Sequence, residues 1–386
     1  MSRKKTVWVR IGKIAALVIP VVLLILLFPV NDYDDSVRIR NFYLETPNSL
    51  DVVVMGSSED YAGYSPVLAY EEYGFTSYPY VFSANDFSIF EEQLDEVLRV
   101  QSPKMIVVNI AELINLRTHD DTVLREFLAG IPLSWHKIQM IREYGDSEEI
   151  LSYYFPFIVN HGKADRQTLA DYVQTNAAVR CRGYSLLKGT ITYTGTGEYW
   201  DGPYVTPRNT SGDTSIAQLQ PEVIEQCRDV LDVCRKHPDI QFVFINLPHR
   251  ITTESRYREY QEVNAAGALI EEAGFDFINL ESMTDEIGIV PEADFYNNHH
   301  MNLYGQYKAT RFLCDLLTRN YDIEPRAISP KDQARWDTCV EFSKLYYQLF
   351  EEGFRSRQSV EDGRWLKEDA SLFKAIEEMK RESKTN

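Results

Sequence analysis

The sequence predicts a three-layer α/β/α domain built on a mostly parallel five-stranded sheet. Continuous runs of β-branched and aromatic residues recur along the chain, which is typical of strands buried on both faces. Stretches long enough for helices separate these runs, as the crossovers of a doubly wound sheet require. The strand candidates are residues 51–55, 78–83, 105–110, 241–247 and 275–280.

Helices are predicted between and after these strands. Their candidate ranges are 87–100, 221–236, 256–273 and 304–317. About 130 residues separate the third and fourth strands, far more than one crossover needs. We therefore expect an insertion over about 125–220, helical at first and then irregular, within a main domain of residues 31–328.

The C-terminal segment, residues 329–386, is polar with a helical pattern and predicts a helical extension of the domain. Its aromatic residues include Trp336, Tyr346 and Phe350. We expect this helical surface to dock a partner protein.

The N-terminal segment predicts a membrane anchor. Residues 1–13 hold five basic side chains and no acidic one, and residues 14–30 are uncharged. Such a run is at the lower limit for a membrane-spanning helix, and basic flanks stay in the cytoplasm. Asp32, Asp34 and Asp35 follow the run, so the rest of the chain is expected outside the cytoplasm, at the cell membrane. A cleaved signal peptide and a buried core helix are the alternatives.

Composition limits the partners. The net charge is −18, with 58 acidic and 40 basic residues, so nucleic acid is not expected as a partner. The five cysteines include no C-x-x-C pair and do not indicate a disulfide scaffold. No cofactor is predicted.

The first chemical motif is Gly56-Ser57-Ser58, directly after the first strand. Ligands of open α/β sheets bind at the carboxyl ends of the strands, and a serine there also begins a helix whose free N–H groups can hold an anion. The structural alternative is that Ser57 caps the helix together with Asp60.

The second motif runs from Asp294 to Gly305 and precedes the last core helix. Its histidines, His299 and His300, are candidates for the general base of a serine hydroxyl. A zinc site made of Asp294, His299 and His300 is the metal alternative, although no H-x-x-x-H spacing supports it. His249, after the fourth strand, is interpreted as a hydrogen-bonded loop residue, with substrate contact as the alternative.

Together, Gly-Ser-Ser after strand one and Asp…His-x-Asn-x-x-Gly near the end resemble the SGNH (GDSL-like) hydrolase superfamily. The resemblance covers roughly residues 50–320. It is similar in particular to the membrane-anchored branch that includes the teichoic-acid D-alanylation protein DltD and the alginate O-acetylation proteins. It implies a flavodoxin-like sheet and a serine esterase or acyltransferase activity.

The resemblance also implies roles for individual residues. Ser58 takes the position of the nucleophile, with Ser57 as the second choice. His300 takes that of the base, with His299 as the second choice. The family's D-x-x-H has Asn297 where its Asp stands, so either Asp294 or Asn297 orients the histidine, or no residue does. Ala84-Asn85 and Asn109 are the oxyanion-hole candidates, although the family's G-x-N-D block is absent.

These residues predict an extracytoplasmic serine esterase or O-acyltransferase acting on acyl esters of a cell-envelope glycan or polymer, such as teichoic acid. The alternative is a non-catalytic partner of a membrane-bound acyltransferase, which the missing aspartate favours.

Overall fold

The computed structural model describes residues 3–27, 34–85, 87–116, 121–154, 186–193, 205–321 and 323–355. Its central sheet has the order β2-β1-β3-β4-β5, and all four strand pairs are parallel. The predicted five-stranded sheet is therefore confirmed, with each strand within two residues of its predicted limits. The strands are β1 (Val52–Gly56), β2 (Ser77–Val81), β3 (Met105–Asn109), β4 (Gln241–Asn246) and β5 (Asp276–Asn279).

Helices flank the sheet, and the four predicted ones are present at Phe90–Val100, Pro221–Arg235, Glu254–Glu272 and Leu303–Asn320. The helices of the first half are α1 (Arg3–Leu27), α2 (Asp34–Phe42), α3 (Ser58–Gly63), α4 (Pro66–Tyr73), α5 (Phe90–Val100), α6 (Asp121–Gly130), α7 (Trp135–Tyr144) and α8 (Ile150–Tyr154). Those of the second half are α9 (Pro221–Arg235), α10 (Glu254–Glu272), α11 (Thr284–Ile287), α12 (Pro291–Asp294), α13 (Leu303–Asn320) and α14 (Pro330–Arg355).

The core lies on both faces of the sheet because successive strand side chains point in opposite directions. Val53 and Met55 of β1 pack in one apolar cluster with residues of α5, α9 and α10. Val52 and Val54 pack in a second cluster with residues of α13. Both layers require apolar residues, which explains why the strands read as continuous apolar runs.

The predicted insertion between β3 and β4 is helical in its first described part, which holds α6, α7 and α8, and irregular over 205–220. Residues 155–185 and 194–204 of it lie outside the described residues. Its limits stay a prediction.

The prediction that Trp336 and Tyr346 form a docking surface is wrong, because both are buried within the chain. Trp336 is 2% exposed, with its ring 4.9 Å from that of Tyr70 in α4, and the Lys188 ammonium lies 4.2 Å from it. Tyr346 belongs to an apolar cluster that includes Leu186 and Leu187. These aromatic residues attach α14 to its own domain. The side chain of Phe350 lies outside the described residues.

The N-terminal helix differs from the predicted membrane span at 14–30. Helix α1 begins at Arg3, within the basic segment, and ends at Leu27, so its uncharged part is residues 14–27. Within the part of the chain that the structure describes, no helix combines the length and the apolar character needed to cross a membrane. Residues 28–33 lie outside the described part.

One buried lysine lies where α7 packs onto the domain. Lys137 is 9% exposed, and its ammonium donates a hydrogen bond to the Ile131 carbonyl at 2.9 Å. Burial, together with the charge of Arg40, lowers the pKa of Lys137 from 10.5 to about 8. The charged form is therefore disfavoured in the fold, and the folded state is destabilised wherever Lys137 is protonated.

Substitution Lys137→Met is expected to stabilise the protein at pH 7 by about 2 kcal/mol, since it removes a cost of roughly 3 kcal/mol and one hydrogen bond of about 1 kcal/mol. Between pH 8 and 10.5 the unfolded lysine binds more protons than the folded one, so the stability of the wild type rises across this window and the advantage of Lys137→Met disappears. Urea unfolding at pH 7 and pH 10.5 measures both effects. Lys331→Met, at an exposed lysine, is the control, and an advantage of Lys137→Met that does not change with pH contradicts the assignment.

Candidate functional site

A pocket of about 680 Å³ opens at the carboxyl edge of the sheet. Because the strands are parallel, the segments that follow β1, β2, β3 and β4 all arrive at this edge. The loop between α12 and α13 closes the same pocket. Residues contributed by these five segments include Ser58, Ala84, Glu112, His249 and His300.

Gly56 ends β1 and permits the tight entry into α3. A Cβ atom at this position would lie 2.1 Å from Oδ2 of Asp60, whose carboxyl accepts a hydrogen bond from the Ser57 backbone N–H at 2.7 Å. Ser57 is 2% exposed, whereas Ser58, at the first position of α3, is partly exposed and lines the pocket. Of the two predicted serines, the structure brings Ser58 to the pocket surface.

The partner of His300 is Asn297. The Asn297 amide nitrogen lies 3.0 Å from Nδ1 of His300. The Asn297 side-chain oxygen accepts hydrogen bonds from the backbone N–H groups of His299 and His300, at 2.9 and 2.8 Å. These two donors fix the orientation of the amide, so that its NH₂ group faces the imidazole ring.

Asp294 does not orient His300 in this structure. Its carboxylate accepts a hydrogen bond from the Val290 backbone N–H at 2.7 Å and pairs with the Lys308 ammonium at 2.7 Å. This arrangement closes the short helix α12 and ties it to α13. Asp294 is 1% exposed, and its charge is balanced locally rather than at the pocket.

The orientation of Asn297 sets the protonation of His300. An amide NH₂ group only donates, so Nδ1 of His300 must accept, and a neutral imidazole then carries its proton on Nε2. Burial, and to a lesser extent the charge of His249, lowers the pKa of His300 to about 4 against the opposing effect of Glu59, so the ring is neutral at pH 7. A base acting through Nε2 needs the other tautomer.

The rest of the His300 environment is aromatic. The Tyr61 ring stacks on the imidazole, with centroids 6.0 Å apart and an interplanar angle of 14°, and the Tyr193 ring centroid is 5.3 Å away. Nε2 of His300 is buried and has no hydrogen-bond partner among the described residues. No hydrogen bond joins Ser58 and His300 within the described part of the chain; the pocket brings the two residues to one surface.

Of the predicted oxyanion donors, the side chains of Asn85 and Asn109 are not placed for that role. The Asn85 amide donates to the Gly56 carbonyl at 2.8 Å and also bonds to Gln93, so it holds the loop after β2 in place. Asn109 is 1% exposed, accepts a hydrogen bond from the Ala111 N–H at 3.1 Å and lies beside Asp60 below the pocket. Ala84, in contrast, lines the pocket with φ at 53°, a conformation that favours glycine and that strains an alanine.

A cluster of carboxylates and imidazoles, not predicted as a site, lies beside Ser58. Nε2 of His249 is 3.1 Å from Oε1 of Glu59, and its Nδ1 is 3.4 Å from Oε2 of Glu281. His299 brings its Nδ1 to 4.0 Å from the same Glu59 oxygen. Two features of the sequence could have indicated this cluster: the position of His249 at the end of β4, and the acidic residue that follows Ser58.

The charges of this cluster depend on one another. Burial acts to lower the pKa of His249, but the carboxylates of Glu59 and Glu281 outweigh it and raise that pKa to about 10. Burial acts to raise the pKa of Glu59, but His249 lowers it below its usual range. Burial and the charge of His249 lower the pKa of His299 to about 3. Burial and the charge of Glu59 raise the pKa of the neighbouring Asp60 well above its usual range.

The zinc site suggested by the sequence, made of Asp294, His299 and His300, is not assembled in the structure. Asp294 is turned toward Lys308, so it does not join His299 and His300 in a set of ligands. Among the described residues, the group with geometry suited to a metal ion is Glu59, His249 and His299, whose ligand atoms lie within 4.8 Å of one another.

No protein-family model matches the chain, and no curated protein does. Among solved structures, the chain is similar to a lipase/acylhydrolase from Enterococcus faecalis, with 12% identity and a TM-score of 0.30 over 72% of this chain and 100% of that one. The site is therefore interpreted from its own residues.

Substitution Asn297→Asp is expected to reverse the tautomer of His300. One carboxylate oxygen keeps the two backbone hydrogen bonds, and the other accepts a proton from Nδ1, so that Nε2 becomes an acceptor. Imidazole ¹⁵N chemical shifts measure which nitrogen carries the proton. The wild type should show a protonated Nε2 and Asn297→Asp a protonated Nδ1, with Asn298→Asp as the neighbouring control; a wild-type ring already protonated on Nδ1 contradicts the assignment.

Proposed function

We propose that this chain is a serine-dependent acyl-ester enzyme, an esterase or an O-acyltransferase, in which Ser58 is the nucleophile and His300 the base. The observation that carries the proposal is the presence of both residues on one pocket at the carboxyl edge of a parallel sheet. Ser58 begins a helix there, while His300 comes from the far end of the chain. Nucleophilic catalysis requires a hydroxyl and an imidazole at the same site, and here the two groups come from distant parts of the chain.

The reaction would run in two steps. Ser58 Oγ attacks the acyl carbonyl and loses its proton to Nε2 of His300, and the departing alcohol takes that proton back as its bond to the acyl carbon breaks. A water molecule or a sugar hydroxyl then attacks the acyl-serine, with His300 again accepting and returning the proton.

Asn297 makes this chemistry slow. Before Nε2 can accept a proton, His300 must adopt the tautomer that gives up its hydrogen bond from Asn297. In serine proteases, replacing the carboxylate partner of the catalytic histidine by an amide lowers kcat by roughly 10⁴-fold for this reason. A slow enzyme with a specific acceptor fits this arrangement better than a fast general esterase.

The oxyanion site is proposed to be made of backbone N–H groups rather than asparagine side chains. Asn85 is engaged in its own loop, and Asn109 lies below the pocket. The strained Ala84 at the pocket wall and the first residue of α3 remain as the sources of donors. Each such donor is worth on the order of 10²- to 10³-fold in rate in other acyl-transfer enzymes.

The alternative function is that of a non-catalytic partner of a membrane-bound acyltransferase. The observation that favours it is again Asn297, because a chain that no longer needs a base has no reason to keep a carboxylate at that position. In this case the pocket binds an acylated ligand, and Ser58 forms no covalent bond.

The substrate proposed for either function is an acylated cell-envelope glycan or teichoic acid. The resemblance of the Gly-Ser-Ser and His-x-Asn-x-x-Gly motifs to the branch that includes DltD supports this proposal. Such polymers lie outside the cytoplasm, which agrees with the basic residues before Ile14 and the acidic residues at 32, 34 and 35.

An extracytoplasmic location at the cell membrane predicts that protease added to intact cells digests the domain from residue 34 onward. Immunoblotting of the full chain measures the digestion, and a cytoplasmic enzyme that survives the treatment is the control. Protection of the domain until the cells are lysed would show that it lies in the cytoplasm.

Substitution Ser58→Ala is expected to abolish covalent labelling by a fluorophosphonate and all turnover of an acetyl ester. Of the two predicted serines, Ser58 is the one that lines the pocket. Ser57→Ala is the matched control and should retain labelling, since Ser57 is buried. The assay includes a cell-envelope glycan and measures free acid and acylated glycan separately, so that hydrolysis and transfer are told apart.

Two outcomes would change the assignment. Loss of labelling in Ser57→Ala but not in Ser58→Ala would move the nucleophile by one residue. A wild type that neither labels nor turns over ester, combined with an Asn297→Asp variant that does, would support the non-catalytic partner, because the fold would then lack only the carboxylate.

A further inference from the structure

The cluster beside Ser58 draws its members from three distant parts of the chain. Glu59 follows Ser58 in α3, His249 follows β4, and His299 precedes α13. We propose that Glu59, His249 and His299 bind a divalent transition-metal ion of the zinc class. Binding of the metal does not depend on the proposed function of Ser58.

The distances fit a metal ion with small adjustments. Bonds of about 2.0–2.1 Å in tetrahedral geometry place ligand atoms about 3.3 Å apart. Oε1 of Glu59 is already 3.1 Å from Nε2 of His249 and 4.0 Å from Nδ1 of His299. A movement of His299 by roughly 0.7 Å toward Glu59 brings that pair to the expected spacing, and all three ligand atoms already lie within 4.8 Å of one another.

Glu281 supports His249 in the way that a carboxylate supports a metal-bound histidine. Its side chain is 2% exposed, lies 3.4 Å from Nδ1 of His249 and also accepts a hydrogen bond from the His249 backbone N–H. Thr210 holds the other oxygen of Glu281 through a hydrogen bond of 2.7 Å. With Nδ1 directed at Glu281, His249 presents Nε2 to Glu59, and a metal ion bound there would displace the Nε2 proton.

Glu59 provides a second, independent indication of a missing ligand. The residue is 7% exposed, and its Oε2 atom is buried with no hydrogen-bond donor among the described residues. A buried carboxylate oxygen without a partner costs free energy that a cation would recover. A simple ion pair with His249 occupies only Oε1 and leaves Oε2 without a partner among the described residues.

The chemistry of the ligands indicates the type of metal. Two imidazole nitrogens and one carboxylate oxygen suit Zn²⁺ and its transition-metal neighbours rather than Mg²⁺ or Ca²⁺, which prefer oxygen. Three protein ligands leave a position for water or substrate, and all three residues line the pocket that also holds Ser58. If the proposed acyl-ester chemistry holds, the ion would supply the positive charge at the carbonyl oxygen that Asn85 and Asn109 do not provide.

The test is metal binding by the full chain, purified in mild detergent and stripped with a chelator. Competitive titration against a chromophoric chelator measures the Zn²⁺ affinity, elemental analysis after gel filtration measures the stoichiometry, and Co²⁺ substitution reports the ligand geometry by visible absorption. We expect one Zn²⁺ per chain and no stoichiometric Mg²⁺. His249→Ala and His299→Ala should each weaken Zn²⁺ binding by more than about 100-fold, and Glu281→Gln by roughly 10–100-fold.

His136→Ala is the matched control, because Nδ1 of His136 pairs with Oε1 of Glu96 at 2.8 Å in a similar pair elsewhere in the chain. It should bind Zn²⁺ like the wild type. Ser58→Ala should do the same, so that failure of the serine chemistry is distinguishable from failure of the metal site. If circular dichroism shows that a histidine variant does not fold, the size-matched Glu59→Gln replaces it and should also weaken Zn²⁺ binding. A wild type without stoichiometric Zn²⁺, or histidine variants that bind it unchanged, overturns the proposal.

Discussion

Parallel pairing of β1 with both of its neighbours is the constraint on which the site depends. Because β2, β1, β3 and β4 all run in one direction, the four segments that leave them meet at a single edge. The strand order changes direction at β1, and the crevice beside such a point is where open α/β sheets bind ligands. Ser58 and Glu59 begin the helix after β1, so they lie in this crevice. His249 reaches it only because β4 is parallel to β3.

The site combines two partly independent groups of residues. One holds Ser58 with His300, and the other holds Glu59 with His249 and Glu281. The first depends on tautomers and hydrogen bonds, since both of its members are neutral at pH 7. The second depends on charge, since its buried carboxylates need a positive partner. Consecutive residues of a helix point about 100° apart, which allows Ser58 and Glu59 to serve different groups.

The sequence was sufficient for the sheet but not for the side-chain partners. Continuous apolar runs at 52–56 and 105–109 identify buried parallel strands because both faces of such strands need apolar residues. No comparable feature of the sequence decides whether Asp294 or Asn297 is the partner of His300, because both lie within six residues of it. Only the folded loop shows that Asp294 binds Val290 and Lys308 instead. The cluster of Glu59, His249 and His299 joins residues far apart in the chain, which no local spacing reveals. Burial of Trp336 was missed because an aromatic residue on a helix looks the same in sequence whether it faces its own domain or a partner.

Asn297 connects the two groups. Its side-chain oxygen accepts the backbone N–H groups of both His299 and His300, so a single amide fixes the turn that directs one imidazole toward Glu59 and the next toward Tyr61. An aspartate at this position keeps that acceptor and changes only the group that faces Nδ1 of His300. An alanine would remove the acceptor, release the turn and disturb both imidazoles at once. An aspartate at position 297 should therefore change the serine chemistry and leave metal binding unchanged, whereas an alanine should change both. For this reason the aspartate variant, and not the alanine variant, distinguishes the two groups.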